Sequence, residues 1–288
     1  MEQTLWMPKR QIEVAYRRSL LRLAEAIIRQ MDMVNDLPAL TRALGGLVGD
    51  ETFNRFAEAA AMKMVTGLFS DQGHTWREAA RRNSQGRQMY EALKREMDGS
   101  VGYRVRAITA ENATLIRTLP ARIAQDVTDY IAREAAKGRR SEAIAEEIRR
   151  MFPSHTKARA KLIARTEVSK AQTSLIQARA EVFGWDWYAW CPVGGGQGDG
   201  RTRSSHRKMS DVLVNWRDPP APEDLFPLHR KDGMPYHNAL GHYHAGCCPN
   251  CRCYPEPVVD LDLLDWPMKI YRNGAIGRVT RKQFEGMM

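Results

Sequence analysis

Apolar residues recur at steps of three and four along the first part of the chain, with polar residues between them. Leu20, Leu23 and Ile27 show this spacing, which places them on one face of a helix. The pattern extends from Pro8 to about residue 183 and predicts a multi-helix N-terminal and central part. Gly73 interrupts the pattern, and we interpret this glycine as a helix end.

Helix boundaries are signalled in the central part of the chain. Pro120 suits the first turn of a helix, and Gly138 suits the position just after a helix end. Pro153 is predicted to stop the next helix, because an interior proline removes a backbone hydrogen bond. A further helix is then expected from about residue 156 to residue 183.

The character of the sequence changes at Gly184. Trp187, Tyr188 and Trp190 form an aromatic run that predicts a strand. The glycine-rich stretch 194–200 lacks the Gly-Lys-Ser/Thr ending of a nucleotide-binding loop, so we interpret it as a flexible connection. The predicted fold class is therefore mainly α, with a small α+β module near the C-terminus.

These features predict consecutive segments along the chain. Residues 1–105 are expected to form a helical region and residues 106–262 a second domain. Within that domain, helices are predicted over 106–183 and a mixed module bearing Cys and His residues over 184–262. Residues 263–288 are interpreted as a basic C-terminal tail.

The charge balance favours an acidic partner. The formal net charge is +10, from 44 Lys and Arg against 34 Asp and Glu, which suits a polyanion such as DNA. Basic residues are dense between residues 137 and 165, and an ordinary solvated helical surface is the alternative interpretation. The candidate residues for non-specific binding to double-stranded DNA are Arg139, Arg140, Arg149, Arg150, Lys157 and Lys161.

Nothing in the sequence predicts a membrane partner. No stretch approaches the ~18 to 20 consecutive apolar residues of a membrane-spanning helix. The first residues also lack a charged segment followed by an apolar one, so no secretory signal is predicted. We expect the protein to act in a cytoplasm or inside a particle assembled there.

The cysteines are concentrated near the C-terminus. All five follow residue 190, which is not the distribution of a disulfide framework. Cys248 and Cys251 form a C-x-x-C pair, whose short turn lets two thiolates meet one tetrahedral ion. Free structural cysteines and redox chemistry are the alternatives. The candidate ligands of a structural zinc ion are His206, Cys191, Cys248, Cys251 and Cys253.

Separate motifs together resemble the phage head morphogenesis family, the minor head proteins of the phage Mu F type. Their order and spacing match over about residues 105 to 260. The motifs are residues 111–120 (ENATLIRTLP), residues 163–168 (IARTEV), Trp190 with Asp199 and residues 201–206 (RTRSSH), and residues 249–253 (PNCRC).

The resemblance implies a minor capsid protein, present in few copies near the portal vertex of the virion and in the host cytoplasm during assembly. Its implied partners are the portal protein, other capsid proteins and, in some relatives, DNA, and the region 1–105 would dock on the portal. The resemblance also implies that Cys248 stands where relatives carry His. Arg203 stands where some relatives carry Cys, a replacement that Cys191 would compensate.

An enzyme is the rival interpretation. A metal-dependent nuclease or toxin-like domain would use His206 and the Cys/His cluster, and would need an open coordination position with acidic residues nearby. Thiols and imidazoles are instead typical of closed structural sites. We therefore predict a protein that is not an enzyme and has no small-molecule substrate. A zinc-bearing DNA-binding regulator is also disfavoured, since no recognition helix adjoins the cluster.

Overall fold

The computed structural model confirms the predicted fold class, with helices in the N-terminal and central parts and a small five-stranded sheet near the C-terminus. It describes residues 6–7, 9–32, 36–83, 85–227 and 240–288, and of Leu37 only the backbone. Pro8, where the helical part was predicted to begin, lies outside these residues. The helices are α1 (Arg10–Asp32), α2 (Leu37–Gly46), α3 (Glu51–Arg81), α4 (Gly86–Lys94), α5 (Ser100–Arg117), α6 (Leu119–Ala136), α7 (Ser141–Val182), α8 (Ser204–Lys208), α9 (Pro222–Leu225) and α10 (Arg281–Glu285).

The boundaries of α6 follow the sequence signals. Pro120 occupies the first turn of the helix, where its missing N–H has no intrahelical partner to lose. The helix ends at Ala136, and Gly138 adopts a positive φ of 76° just beyond the cap. Both predictions are confirmed.

Pro153 does not stop a helix, and that prediction is wrong. It lies inside α7, which continues to Val182. The reason is a row of buried residues that recurs every four positions on both sides of the proline, including Ile148, Phe152, Thr156 and Ala160. The packing of this continuous stripe outweighs the roughly 3 kcal/mol that an interior proline costs.

Gly73 was also predicted to end a helix, and it lies inside α3 instead. An interior glycine costs only about 1 kcal/mol relative to alanine. The helix continues because it buries Trp76, whose side chain is completely inaccessible to solvent, and burial of a large aromatic side chain is worth more than that cost.

The strands are β1 (Trp187–Cys191), β2 (Val212–Asn215), β3 (Tyr254–Pro257), β4 (Met268–Arg272) and β5 (Ala275–Val279). Their spatial order is β3-β1-β2-β4-β5. The central strand β1 pairs antiparallel with both β2 and β3, and it contains the aromatic run predicted to be a strand. The pair β2 and β4 is parallel, and β4 and β5 form an antiparallel hairpin.

Residues 263–288 are not only a basic tail, which corrects the sequence prediction. They contain β4, β5 and α10. Arg272 and Arg278 are exposed on the strands, whereas Met268, Ile270 and Tyr271 are buried. The apolar residues of this segment are few and occur in short runs. The sequence pattern alone therefore resembles that of a solvated tail.

The chain forms two compact units. Unit 1 comprises residues 1–9, 68–105 and 168–288, and unit 2 comprises residues 10–67 and 106–167. Unit 1 contains the sheet and a core of aromatic residues such as Trp76, Tyr188 and Trp190. The units interleave along the chain, whereas the predicted domains follow one another.

In the part of the chain that the structure describes, no helix is both long enough and apolar enough to cross a bilayer.

Candidate metal centre

Three side chains of unit 1 converge in its interior. His206 lies on α8, while Cys251 and Cys253 lie on the segment that leads into β3. The His206 Nδ1 atom is 3.4 Å from the Sγ atoms of both Cys251 and Cys253. All three residues are buried, and their ligand atoms lie within 4.8 Å of one another. The structure therefore contains a buried His/Cys/Cys cluster that can hold a metal ion.

Helix α7 holds the cysteine-bearing segment in place. The Ser169 hydroxyl donates a hydrogen bond to the Cys251 carbonyl at 2.9 Å, and the Thr173 hydroxyl donates to the Ala245 carbonyl at 2.6 Å. Gly246 adopts a φ of +86°, and a Cβ atom there would lie 2.7 Å from Thr173 Oγ1. Only glycine allows the segment this close approach to the helix.

The other ring nitrogen of His206 faces an acidic group. Nε2 lies 2.9 Å from the Tyr243 hydroxyl and 3.3 Å from Glu223 Oε1. Tyr243 donates a hydrogen bond of 2.5 Å to Glu223 Oε2, and the Ser205 hydroxyl donates to Glu223 Oε1 at 3.3 Å. A carboxylate on one side of an imidazole orients the ring and leaves the opposite nitrogen for a metal ion.

The electrostatics of the cluster favour ionised groups. Burial would lower the pKa of His206, but hydrogen bonds to Cys248, Cys251 and Glu223 raise it to about 11. Burial would raise the pKa of Glu223, yet its hydrogen bonds with His206 and Tyr243 lower it to about 2. A hydrogen bond from Cys253, together with His206, lowers the pKa of the Cys251 thiol well below its usual value. A thiolate is the form of cysteine that binds metal.

The distances fit a tetrahedral ion. With the bond lengths usual for zinc, neighbouring nitrogen and sulfur ligands are separated by about 3.6 Å. The two N–S separations at His206 are 3.4 Å. These two separations are therefore close to those between neighbouring ligands of such an ion.

Cys248 lies beside the three converging residues. It is buried and raises the pKa of His206, but its sulfur is not among the ligand atoms that all lie within 4.8 Å of one another. Its Sγ atom is 2.8 Å from Nη1 of Arg203, whose Nη2 donates to the Pro249 carbonyl at 3.0 Å. Arg203 therefore contacts the thiol of a predicted ligand.

Cys191 is not brought to the cluster. It follows Trp190 on β1, and successive side chains of a strand point to opposite faces of the sheet. The Trp190 ring packs 5.5 Å from the His206 ring, so Cys191 points away from it. The Cys191 Sγ atom instead lies 3.5 Å from Glu256 Oε2. Cys191 therefore does not compensate for Arg203, and that expectation is wrong.

Two residues of the site were missed by the sequence reasoning. Glu223 lies in a proline-rich stretch and Tyr243 lies a few residues before the cysteine-rich motif, and neither was among the predicted site residues. A buried carboxylate needs a partner, but no spacing rule connects Glu223 with His206.

The predicted DNA-binding residues belong to unit 2 and differ in their surroundings. Arg139 forms ion pairs with Glu134 at 2.8 Å and Glu147 at 2.6 Å. Arg150 pairs with Glu147 at 3.3 Å. The remaining predicted residues are exposed: Arg140, Arg149, Lys157 and Lys161.

Comparison with known proteins identifies a segment of the chain. Residues 125–255 match the family model described as Phage Mu protein F like protein. An uncharacterized protein of Haemophilus influenzae is 28% identical over 180 residues, which are 62% of this chain and 34% of that relative. The chain thus spans about a third of the relative's length. No solved structure matches the chain significantly. The resemblance predicted from the motifs is confirmed over this segment: residues 125–255 are similar to the Phage Mu protein F like family, which supports the predicted family of phage head morphogenesis proteins.

Proposed function

We propose that the protein is a minor capsid protein of a tailed bacteriophage that acts in head assembly by binding. The observation that carries this proposal is the family match over residues 125–255. The matched stretch includes α7, the strands β1 and β2 and the candidate metal centre. The proposed location is the virion near the portal vertex, and the host cytoplasm during assembly.

A deletion of the gene from its phage genome tests this proposal. We expect lysates without the protein to contain few complete heads by electron microscopy, and a wild-type copy supplied in trans to restore them. The restored heads should carry the protein after purification through a density gradient. Complete, infectious heads in the deletion strain would contradict a role in assembly.

We propose that the helical region 1–105 contacts the portal protein. Helix α3 leaves apolar side chains exposed that suit such a contact, with Phe56 exposed to 38% and Met62 to 60%. The test is co-purification of the full chain with the portal protein of the same phage. The Phe56→Ser, Met62→Ser variant should lose most of the bound portal protein. Leu162→Ser, which changes a residue exposed to 39% outside this region, is the matched control and should retain it.

Non-specific DNA binding is proposed for part of the basic segment only. Arg139 and Arg150 are engaged by carboxylates, whereas Arg149, Lys157 and Lys161 are exposed on α7. Their positions differ by multiples of four, so they follow one row along the helix surface. At a rise of about 1.5 Å per residue the row is roughly 18 Å long. Such a row suits successive contacts with the phosphates of one DNA strand.

The salt dependence of DNA binding tests this assignment. Each phosphate contact contributes about 0.9 to the slope of log K against log salt concentration. Replacing Arg149, Lys157 and Lys161 by Gln should therefore reduce the slope by about 3, measured by fluorescence anisotropy with a labelled duplex. An unchanged slope would contradict the assignment. A control with the same loss of net charge replaces exposed residues elsewhere by Gln: Arg272, Lys63 and Lys282.

For the metal centre we propose a structural zinc ion held by His206, Cys251, Cys253 and Cys248. Zinc would supply cross-linking of the loop-rich part of unit 1. The Glu223 carboxylate behind His206 and the thiol-rich donor set support a closed site, which favours binding over catalysis. Incubation with plasmid and Mg²⁺ or Mn²⁺ tests the rival nuclease, and cleavage that His206→Ala abolishes would overturn the non-enzymatic proposal.

A further inference from the structure

The two edges of the five-stranded sheet differ in the backbone groups that they present. One edge is β3, after which Val258 donates its N–H to the Trp187 carbonyl at 3.0 Å. By strand alternation Pro255 and Pro257 therefore occupy the outward positions of β3. Proline has no N–H, so this edge lacks the donors that an added strand requires. The other edge is β5, which contains no proline and can accept a strand.

The hairpin register shows which backbone groups of β5 face outward. A two-residue turn, 273–274, joins β4 to β5, and both of its residues have a positive φ. In such a hairpin the pair that flanks the turn is hydrogen bonded, as is every second pair after it. Alternate residues of β5, beginning with Ala275, therefore bond to β4. The N–H and C=O groups of Ile276 and Arg278 point away from β4, and no other strand in the described part of the chain pairs with them.

The middle of β5 is open to the approach of another backbone. Gly277 stands between the two outward-facing residues, and no atom of the described residues lies within 4 Å of the position that a Cβ would take there. A glycine inside a strand often marks a site where another backbone comes close. Arg278 is exposed and Ile276 is half-buried. The edge is thus accessible to an extended chain.

The edge is also positively charged. Arg278 pairs in register with Lys269 of β4, and paired side chains lie on the same face of a sheet. Like charges opposite each other on neighbouring strands repel. Lys269 donates to the Ser210 carbonyl at 3.4 Å, which is a neutral acceptor, and no carboxylate of the described residues forms an ion pair with Arg278. An acidic side chain beside Arg278 would therefore relieve the repulsion.

We propose that the β5 edge binds an extended segment of a partner polypeptide, which adds a strand to the sheet and places an acidic side chain beside Arg278. The outward N–H and C=O groups of Ile276 and Arg278 would all gain partners. Main-chain hydrogen bonds supply the affinity in this mode of recognition, and side-chain positions supply the specificity. A second copy of the chain suits the edge less well, because each copy has a net charge of +10. The inference does not depend on the proposed zinc ion or DNA contact.

Two peptides test the proposal on the full-length protein: N-acetyl-Thr-Thr-Glu-Thr-Val-Thr-Thr-amide and the same peptide with Lys in place of Glu. In an antiparallel pairing, Glu lies opposite Arg278 when Val lies opposite Ile276. NMR titration of the Ile276 and Arg278 amides gives the affinities. We expect the glutamate peptide to bind at least about threefold more tightly at low salt. N-methylation of its Glu and Val amides removes the donors that face β5 and should abolish binding.

Charge reversal separates the edge from the net charge of the protein. Arg278→Glu should reverse the preference, so that the lysine peptide binds more tightly. Arg272→Glu is the matched control, because it makes the same change in net charge on the opposite face of the hairpin, and it should keep the preference for the glutamate peptide. Equal binding of the two peptides to the wild-type protein would overturn the proposal, as would an unchanged preference in Arg278→Glu. Both arginines are exposed, and the wild-type comparison decides the question even if a variant does not fold.

Hydrogen exchange of the free protein tests whether the edge is open. The Ile276 and Arg278 amides should exchange at least about tenfold faster than those of Gly277 and Val279, which bond to β4. Protection of Ile276 and Arg278 that increases with protein concentration would identify a second copy as the occupant. Protection that is independent of concentration would mean that the chain covers its own edge. Either result would contradict the proposal.

Discussion

The two faces of β1 bury cysteine thiols next to different kinds of neighbouring groups. On one face, Trp190 packs against His206, whose neighbours are Cys251 and Cys253. On the other face, the Cys191 Sγ atom contacts the Glu256 carboxylate and the Ala189 carbonyl. The side chains on both faces are almost completely inaccessible to solvent, since His206 is 1% and Cys191 2% exposed. Burial alone therefore does not distinguish them.

The difference lies in which charged forms the neighbours stabilise. At the cluster, an imidazole stands between thiols and the Glu223 carboxylate, so opposite charges stabilise one another. On the opposite face, burial raises the pKa of both Cys191 and Glu256, and the nearby acidic group of Glu256 raises the pKa of Cys191 further. In the first arrangement a metal ion would have to displace the His206 proton, because only a neutral imidazole binds metal. The second arrangement favours the neutral forms of Cys191 and Glu256.

The largest expected effect separates the two faces by metal content. Purified wild-type protein and Cys191→Ala should each contain about one zinc ion per chain by elemental analysis. Cys251→Ala should contain none and should lose more than about 5 kcal/mol of stability, because structural zinc contributes on the order of 10 kcal/mol in small domains. Equal metal content in the two alanine variants would show that Cys191 and Cys251 do not differ in their role in metal binding.

The second effect concerns the close approach of the cysteine-bearing segment to α7. Gly246→Ala should reduce the free energy of unfolding by about 3 kcal/mol, because the added Cβ overlaps Thr173 and the backbone is left-handed. Gly241→Ala is the matched control, since its φ is also positive, +61°, but nothing lies within 4 Å of the added Cβ. Urea unfolding measures both. Similar losses in the two variants would show that the contact with α7 is unimportant.

The third effect tests the opposite face through pH. Burial raises the pKa of Glu256 from 4.5 to about 7, so the folded state holds this proton more tightly than the unfolded state. Its contribution to stability is present below about pH 4.5 and is lost as the pH rises through 7, in total roughly 3 kcal/mol.

Glu256→Gln removes this titration. The stability of the variant should therefore fall less than that of the wild type between pH 5 and pH 8 in urea unfolding. The groups at the metal centre titrate in both proteins, so the difference isolates Glu256. Parallel pH profiles would show that the carboxylate is already compensated in the folded state.

The smallest effect concerns one hydrogen bond at the cluster. Ser169→Ala leaves the buried Cys251 carbonyl without the hydroxyl that donates to it, and it should cost about 1 kcal/mol. Ser174→Ala on the same helix, at a half-buried position, is the control and should cost less. Both variants should retain the metal, since neither side chain is a ligand. Loss of metal from Ser169→Ala would mean that the helix contact sets the ligand geometry.

Local patterns allowed much of the fold to be predicted. The helical part and the strand at Trp187 follow from periodicity and residue type, which act over a few neighbouring positions. Pro153 was misinterpreted because its local penalty is opposed by a buried stripe that only the packed structure reveals. The strands β4 and β5 were missed because β4 pairs with β2, more than fifty residues earlier in the chain.

The candidate site was predictable only in part. Its residue types, thiols near an imidazole, identified His206, Cys251 and Cys253 as candidates, and the structure brings these together. Cys191 was included because composition does not reveal which face of a strand a side chain occupies. Glu223 was omitted because the contact with His206 depends on how a loop folds back.

The interleaving of unit 1 along the chain has a consequence for synthesis on the ribosome. Gln172 donates a hydrogen bond to the Trp6 carbonyl across 166 positions, and Asn83 donates to the Val259 carbonyl across 176. Contacts so distant in sequence form slowly and only after both partners have left the ribosome. The apolar surface of the early helices of unit 1 therefore stays exposed until the last strands have emerged from the ribosome. Nascent chains that stall before residue 253 lack both β3 and Cys253, and they should be cleared by proteases before they can join an assembling head.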